Sequence, residues 1–164
     1  MSKTPEERLE CVEIINNAGG GLIIKPLKAD TLKNKIIGNS CIGYTFQLDN
    51  LGPRGTWVST LEDIELLVDG DIAPKTNMLF RINGLSITID DLVGHTEVFW
   101  GAKDEVWIDV YKVGGLSQGS HKIEIVISKR PDYGYSYGDG QEGYEAAYEF
   151  HDFNLIKDEA IYII

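Results

Sequence analysis

Apolar residues through the middle of this chain recur at every second position, in short runs separated by glycine, proline or Asx-Gly steps. In CIGYTFQLD, residues 41–49, Ile42, Tyr44, Phe46 and Leu48 fall on one face, which predicts a half-buried strand. EDIELLVDGDIAP, residues 62–74, reads as a strand ending in the turn dipeptide Asp69-Gly70. MLFRINGLSITIDDL, residues 78–92, predicts a hairpin: Leu79 and Ile82 lead into Asn83-Gly84, and Ser86 to Ile89 return. Asn-Gly accepts positive φ at both central positions, which matches the twist of a two-residue hairpin. DEVWIDVYKVGG, residues 104–115, sets Val106, Ile108 and Val110 against Trp107, Asp109 and Tyr111. GSHKIEIVISKRP, residues 119–131, repeats the pattern with Ile123, Ile125 and Ile127. Regularly spaced short strands with tight turns, and no βαβ unit, predict an all-β fold: a single-domain antiparallel β-sandwich.

The flanks read differently, and divide the chain into an N-terminal extension (1–21), a sandwich core (22–130) and an aromatic loop with a C-terminal segment (131–164). Residues 5–16 carry Leu9, Val12 and Ile15 near helical spacing behind an acidic first turn, which predicts a short helix. The triple glycine at 19–21 is a joint rather than the interior of an element. Residues 133–148 hold five of the eight tyrosines, at 133, 135, 137, 144 and 148. Tyr148, Phe150 and Asp152 alternate as in a strand, and the closing EAIYII is either a last strand or a segment that docks on a partner.

Composition narrows the function. The chain has 164 residues, 43% hydrophobic, enough for a core of its own. Its formal net charge is −11, from 15 Lys and Arg against 26 Asp and Glu. That balance argues against nucleic acid and against an anionic membrane surface as partners. The opening MSKTPEERLECVE lacks the apolar core of a signal peptide and no apolar run reaches membrane-span length, so a cytoplasmic location is expected. Cys11 and Cys41 form no CxxC and read as ordinary reduced thiols.

Motifs for autonomous chemistry are missing from the pattern. His95, His121 and His151 stand isolated, and Glu149 with His151-Asp152 offers ligand types without convergent spacing, so no metal site is expected in this chain. There is no GxSxG elbow, and the glycines of NNAGGGLII lack the Lys and Ser or Thr of a phosphate loop. The acidic pairs Asp90-Asp91 and Glu142/Glu145 read as solvated surface in so acidic a chain. No catalytic residue is assigned. What remains is aromatic. RPDYGYSYGDG sets Tyr133, Tyr135 and Tyr137 among small residues, and tyrosine joins apolar area to a hydrogen-bonding tip. His95 and Trp100, beside Gly94 and Gly101, read as a second contact loop in GHTEVFWGAKDEVW, where one of Trp100 and Trp107 should be core. Arg54 of LGPRGTW is either a structural ion-pair former or faces an anionic partner.

The order of the segments carries a resemblance. GYTFQLDNLGPRGTWVSTLEDIELLVDGDIAP, then LFRINGLSITIDDL, then EVWIDVYKVGGLSQGSHKIEIVIS resembles the small β subunit of bacterial C-glycoside deglycosidases, over roughly residues 41 to 130. The shared features are an R-G-x-x-x-S strand start, a V-D-G turn, a short hairpin and a G-G-L-x-x-G-x-H-x-I-x-I segment. The resemblance implies an all-β partner of a larger α subunit with a TIM-barrel fold, in an αβ heteromer or a higher oligomer. The α subunit is expected to carry a divalent metal, manganese (Mn2+), and the C2 base; this chain is expected to hold no cofactor and to be inactive alone. The implied reaction is carbon–carbon lyase chemistry on C-glycosyl flavonoids already oxidised to 3-keto sugars. Tyr133, Tyr135, Tyr137, His95 and Trp100 are then expected along the pocket wall, and Arg54 and Trp57 at the partner interface. The competing reading is a non-catalytic β-sandwich that binds carbohydrate or protein.

Overall fold

The fold is seen in a computed structural model that describes residues 24–52, 54–130 and 154–164. In these residues eleven strands follow one another: β1 (Lys33–Ile37), β2 (Ser40–Leu48), β3 (Thr56–Trp57), β4 (Leu61–Val68), β5 (Asp71–Ile72), β6 (Met78–Ile82), β7 (Leu85–Thr88), β8 (Phe99–Trp100), β9 (Val106–Tyr111), β10 (Ser120–Lys129) and β11 (Asn154–Ile163). Single 3-10 turns at Val58–Thr60, Lys75–Asn77 and Ile89–Gly94 join some of them. A five-stranded sheet runs β1-β2-β9-β6-β7, a four-stranded sheet β11-β10-β4-β5, and β3 pairs with β8. Every pairing is antiparallel, as the alternating pattern requires.

The two inner faces are those the period-two pattern marks. Tyr44, Phe46 and Leu48 of β2, Val106, Ile108 and Val110 of β9, and Met78, Phe80 and Ile82 of β6 are buried. They form one cluster with Ile64, Leu66 and Val68 of β4 and Ile123, Ile125 and Ile127 of β10. Both expected turns adopt positive φ at their two central residues: Asp69 (+52°) and Gly70 (+86°), Asn83 (+47°) and Gly84 (+82°). The strand read over 62–74 is β4, that turn, and the short return strand β5. The hairpin's second strand stops at Thr88, because Ile89 and Leu92 turn into the core from a 3-10 turn. The closing EAIYII belongs to β11, an edge strand paired along its length with β10.

A further part of the sandwich was not read from the pattern. Residues 24–32 run alongside the end of β2: Lys28 N–H donates to Gln47 O (3.2 Å), and Asp49 N–H to Pro26 O (2.7 Å). Asp158 on β11 accepts from Leu27 N–H (2.9 Å), and the Tyr162 hydroxyl donates to Lys28 O (2.9 Å). Burial pushes that phenol up to about 12. The expected helix over 5–16, the glycine joint at 19–21, the alternation at Tyr148, Phe150 and Asp152, and Tyr133, Tyr135 and Tyr137 lie outside the described residues.

Candidate functional site

The segment after β9 is shaped by glycine. Gly114 (+82°), Gly115 (+63°) and Gly119 (+122°) take positive φ, so the G-G-L-x-x-G stretch folds back tightly instead of extending the strand. Leu116 is clamped by Asn34 of β1, which donates to its carbonyl and accepts from its N–H, each at 2.9 Å. The return brings in His121 of β10. Its Nδ1 lies 2.7 Å from Asp69 Oδ2, in the V-D-G turn, and its Nε2 lies 2.6 Å from Ser117 O. Asp69 Oδ1 also accepts the N–H of Lys122 (2.8 Å). An acceptor at each ring nitrogen favours the protonated imidazole. The Asp69 hydrogen bond, then the Ser117 carbonyl, raise the His121 pKa; the same His121 bond and the Lys122 amide lower that of Asp69. Two of the motifs that carry the family resemblance, the V-D-G turn and the G-G-L-x-x-G-x-H segment, thus meet in one ion pair.

That pair stands in the wall of a cleft of about 530 Å³ between the sheets. Tyr44, Val110, Tyr111 and Lys112 line it from the five-stranded sheet, and Val68, Asp69, Asp71 and Ile72 from the other. Burial, then the charge of Asp69, push the Tyr44 phenol up to about 12, so it is a neutral hydroxyl. Around the cleft sits a rim of exposed apolar side chains. Ile72 and Tyr111 line the cleft itself, and Val113, 79% exposed, follows Tyr111 by two residues. Exposed Ile36 and Ile37 flank the β1–β2 turn, where Gly114 N–H bonds Cys41 O (3.0 Å). Exposed Ile163 neighbours Gly119, whose backbone pairs with Ile164 in both directions (3.0 and 2.9 Å).

On the outer face of the five-stranded sheet, Asp109 collects Arg81 (Nε 2.8 Å, Nη2 3.2 Å), Lys35 (3.1 Å) and the Thr45 hydroxyl (2.7 Å). Burial opposes its ionisation, but these donors outweigh burial and hold its carboxyl below the usual carboxylate range. Lys33 and Arg81 both stand over the Trp107 ring, at 5.0 and 5.7 Å from its centroid.

Several of the residues singled out in the sequence gather at the opposite end. Pairing of β3 with β8 brings LGPRGTW onto GHTEVFWG: Trp57 meets Phe99 edge-on at 4.9 Å, and Asn50 Nδ2 bonds Trp100 O (2.9 Å). Arg54 is exposed and Trp57 half-buried. His95 is half-buried, with Nδ1 3.4 Å from Glu97 Oε1. Trp100 corrects the expectation of a contact loop. It is fully buried, packed edge-on against Phe80 at 5.7 Å with Nε1 donating to Asp104 O (3.2 Å). Its flanking glycines suggested a loop, but pairing with Thr56 turns the indole into the core, and Trp107 is the tryptophan that faces outward. Among the described residues no group of three or more His, Cys, Asp or Glu side chains is placed to hold a metal, and no helix is long and apolar enough to cross a membrane.

The family model described as C-glycoside deglycosidase beta subunit matches residues 24–133. The chain belongs to that family. It is similar to the C-glycoside deglycosidase beta subunit of Eubacterium cellulosolvens, 28% identical over 103 residues that make up 62% of this chain and 68% of the relative. The family span takes in the cleft, the His121–Asp69 pair and the β3–β8 end, and leaves out β11. Neither His121 nor Asp69 was singled out as a site from residue chemistry. The available signal was their place inside two of the family-like motifs.

Proposed function

We propose that this chain is the partner-supporting subunit of a heteromeric C-glycoside deglycosidase, docking on a TIM-barrel α subunit through the apolar rim around the cleft. The observation that carries the docking is the gathering of exposed Ile36, Ile37, Ile72, Tyr111, Val113 and Ile163 at one end, where a free-standing domain gains nothing by leaving them in water. The family supplies the rest of the reading. The substrate is a C-glycosyl flavonoid whose sugar is a 3-keto derivative. The keto group acidifies the C2 proton, and a base of the α subunit removes it. The C1–carbon bond to the aglycone then breaks by elimination; its electron pair stays on the aglycone carbon, which takes up a proton. A divalent metal on the α subunit, expected to be manganese, supplies stabilisation of the enolate oxygen. This chain contributes the docked scaffold and part of the pocket surroundings, with Tyr133, Tyr135 and Tyr137 offered to the planar aglycone.

The test is co-expression with an isomerase-like α chain, size exclusion, and an assay on a 3-keto C-glucosyl flavonoid. Co-elution with aglycone release that needs both chains supports the proposal, and alanine at Tyr133, Tyr135 and Tyr137 together should lower turnover while leaving co-elution intact. A monomer that ignores the α chain points instead to a free-standing binding module.

A further inference from the structure

An antiparallel sheet packed on one face leaves its other face to water unless something covers it. Along β10, Ile123, Ile125 and Ile127 face the core, and Val126 points the other way, outside the core cluster. Val126 is nevertheless 0% exposed. Its neighbours on that outer face are Glu65 of β4 and Lys157 of β11, and the next row is Asp63, Ser128 and Leu155. Glu65, Asp63 and Ser128 are buried as well. The Ser128 hydroxyl is shut off from water with no hydrogen bond among the described residues. Lys75 reaches both carboxylates, 2.7 Å from Asp63 and 3.6 Å from Glu65. The far end of the same face stays open, with Glu159 and Ile161 exposed. One end of this sheet face is therefore covered from within the chain.

We infer that the cover is the N-terminal segment, residues 5–16, lying as an amphipathic helix across β11, β10 and β4. The start of the described chain favours it. Lys25 Nζ is 3.7 Å from Asp158 of β11, and Leu27 N–H bonds the same carboxylate (2.9 Å). Asp158 follows Lys157, so the segment leaves the described fold level with the Val126 row. Residues 17–23 reach up to about 24 Å. Three strands span about 10 Å, the width of one helix. The sequence of the segment fits the face. Thr4-Pro5-Glu6-Glu7 is a helix start with a capping-box pair. At helical spacing Arg8, Leu9, Val12 and Ile15 share one side, while Glu6, Glu10 and Glu13 share the other. Leu9, Val12 and Ile15 then rest on Val126 and Leu155, and Arg8 meets Asp63 and Glu65. Charge disfavours residues 131–153 in that place: they carry six Asp and Glu and no Lys or Arg. The helix lies outside the family span, which begins at residue 24, and closes this end of the sheet to any other partner.

The inference concerns this chain alone and does not rest on the subunit reading. A nitroxide is attached at Glu10→Cys, on the polar side of the segment, in the full-length 15N-labelled chain carrying Cys11→Ser and Cys41→Ser. The expected result is loss of amide signal centred on residues 63–65, 126–128 and 155–157, with residues 36–37 and 85–88 untouched. Leu9→Asp with Val12→Asp should abolish that loss by detaching the segment, and Arg8→Glu should weaken it by setting like charge against Asp63 and Glu65. Both variants alter only the segment, so the amide spectrum of the sandwich away from this face should keep its folded pattern. The inference is overturned by no signal loss outside the segment, by loss centred elsewhere, or by an unchanged pattern in Leu9→Asp with Val12→Asp. It is also overturned if a nitroxide at Gln141→Cys marks this face and one at Glu10→Cys does not, which gives the cover to residues 131–153. Co-elution with an α chain is a separate measurement that none of these outcomes changes.

Discussion

His121 and Asp69 are 52 residues apart in sequence and 2.7 Å apart in the fold. Period-two reading puts each residue on a face or in a turn but says nothing of which turn a strand end will meet, so His121 looked isolated. Their pairing sets a pH dependence. The folded pKa of His121 is raised, so its contribution to stability is complete below the usual histidine value near 6.5 and is lost as pH rises through the folded value. The folded pKa of Asp69 is lowered, so its contribution is present above 3.8 and is lost as pH falls through the lower folded value. Lys112 opposes the imidazolium, while Lys122 presents its amide to Asp69. The Asp69 side chain is 46% exposed, so water screens the pair. His121→Gln should therefore cost about 1 kcal/mol, about 3 °C of melting temperature, at pH 5.5, and much less at pH 9. Equal losses at the two pH values, by thermal unfolding, rule the charged pair out as the cause.

Strands with a clean alternation were legible as elements; those without it were not. KNKII is an edge strand with Lys33 and Lys35 on the outer face and Asn34 inward, so it carries no apolar period, although Asn34 holds the loop after β9. The two-residue strands β3 and β8 are too short to show a period. The loop after β9 offers a test at this scale. A Cβ on Gly115 would meet Asn34 Oδ1 at 2.4 Å and Cys41 Sγ at 2.6 Å, on a backbone at +63°. Gly114 also has positive φ, +82°, but has open space around it. Gly114→Ala should cost about 1 kcal/mol from backbone strain alone, and Gly115→Ala about 2–3 kcal/mol from strain plus displacement of Asn34. Equal melting temperatures for the two variants would show that the Asn34 clamp has no part in holding the loop.

At the scale of the molecule, the apolar rim and the aromatic β3–β8 end are distinct surfaces. Ile37→Asp with Val113→Asp places charge where Ile37 and Val113 are largely exposed, so the fold should persist. The expected outcome is a lone chain that resists aggregation better and no longer co-elutes with the α chain. Trp57→Ala at the other end should leave co-elution in place. Co-elution that survives the double aspartate and fails with Trp57→Ala would move the interface to the end carrying Arg54 and Trp57, where the sequence reading put it.

By itself the sequence determined the all-β class, the antiparallel sandwich, both Asx-Gly turns and the family resemblance. Each depends on local information: a period, a dipeptide, an order of motifs. The tertiary structure alone decided that Trp100 is core while Trp107 faces outward, that Asp109 is buried among cations, that His121 meets Asp69, and that a cleft opens beside the apolar rim. Those depend on which strand ends and which sheet faces are brought together, and pairings between residues far apart in the chain leave no periodic trace in it.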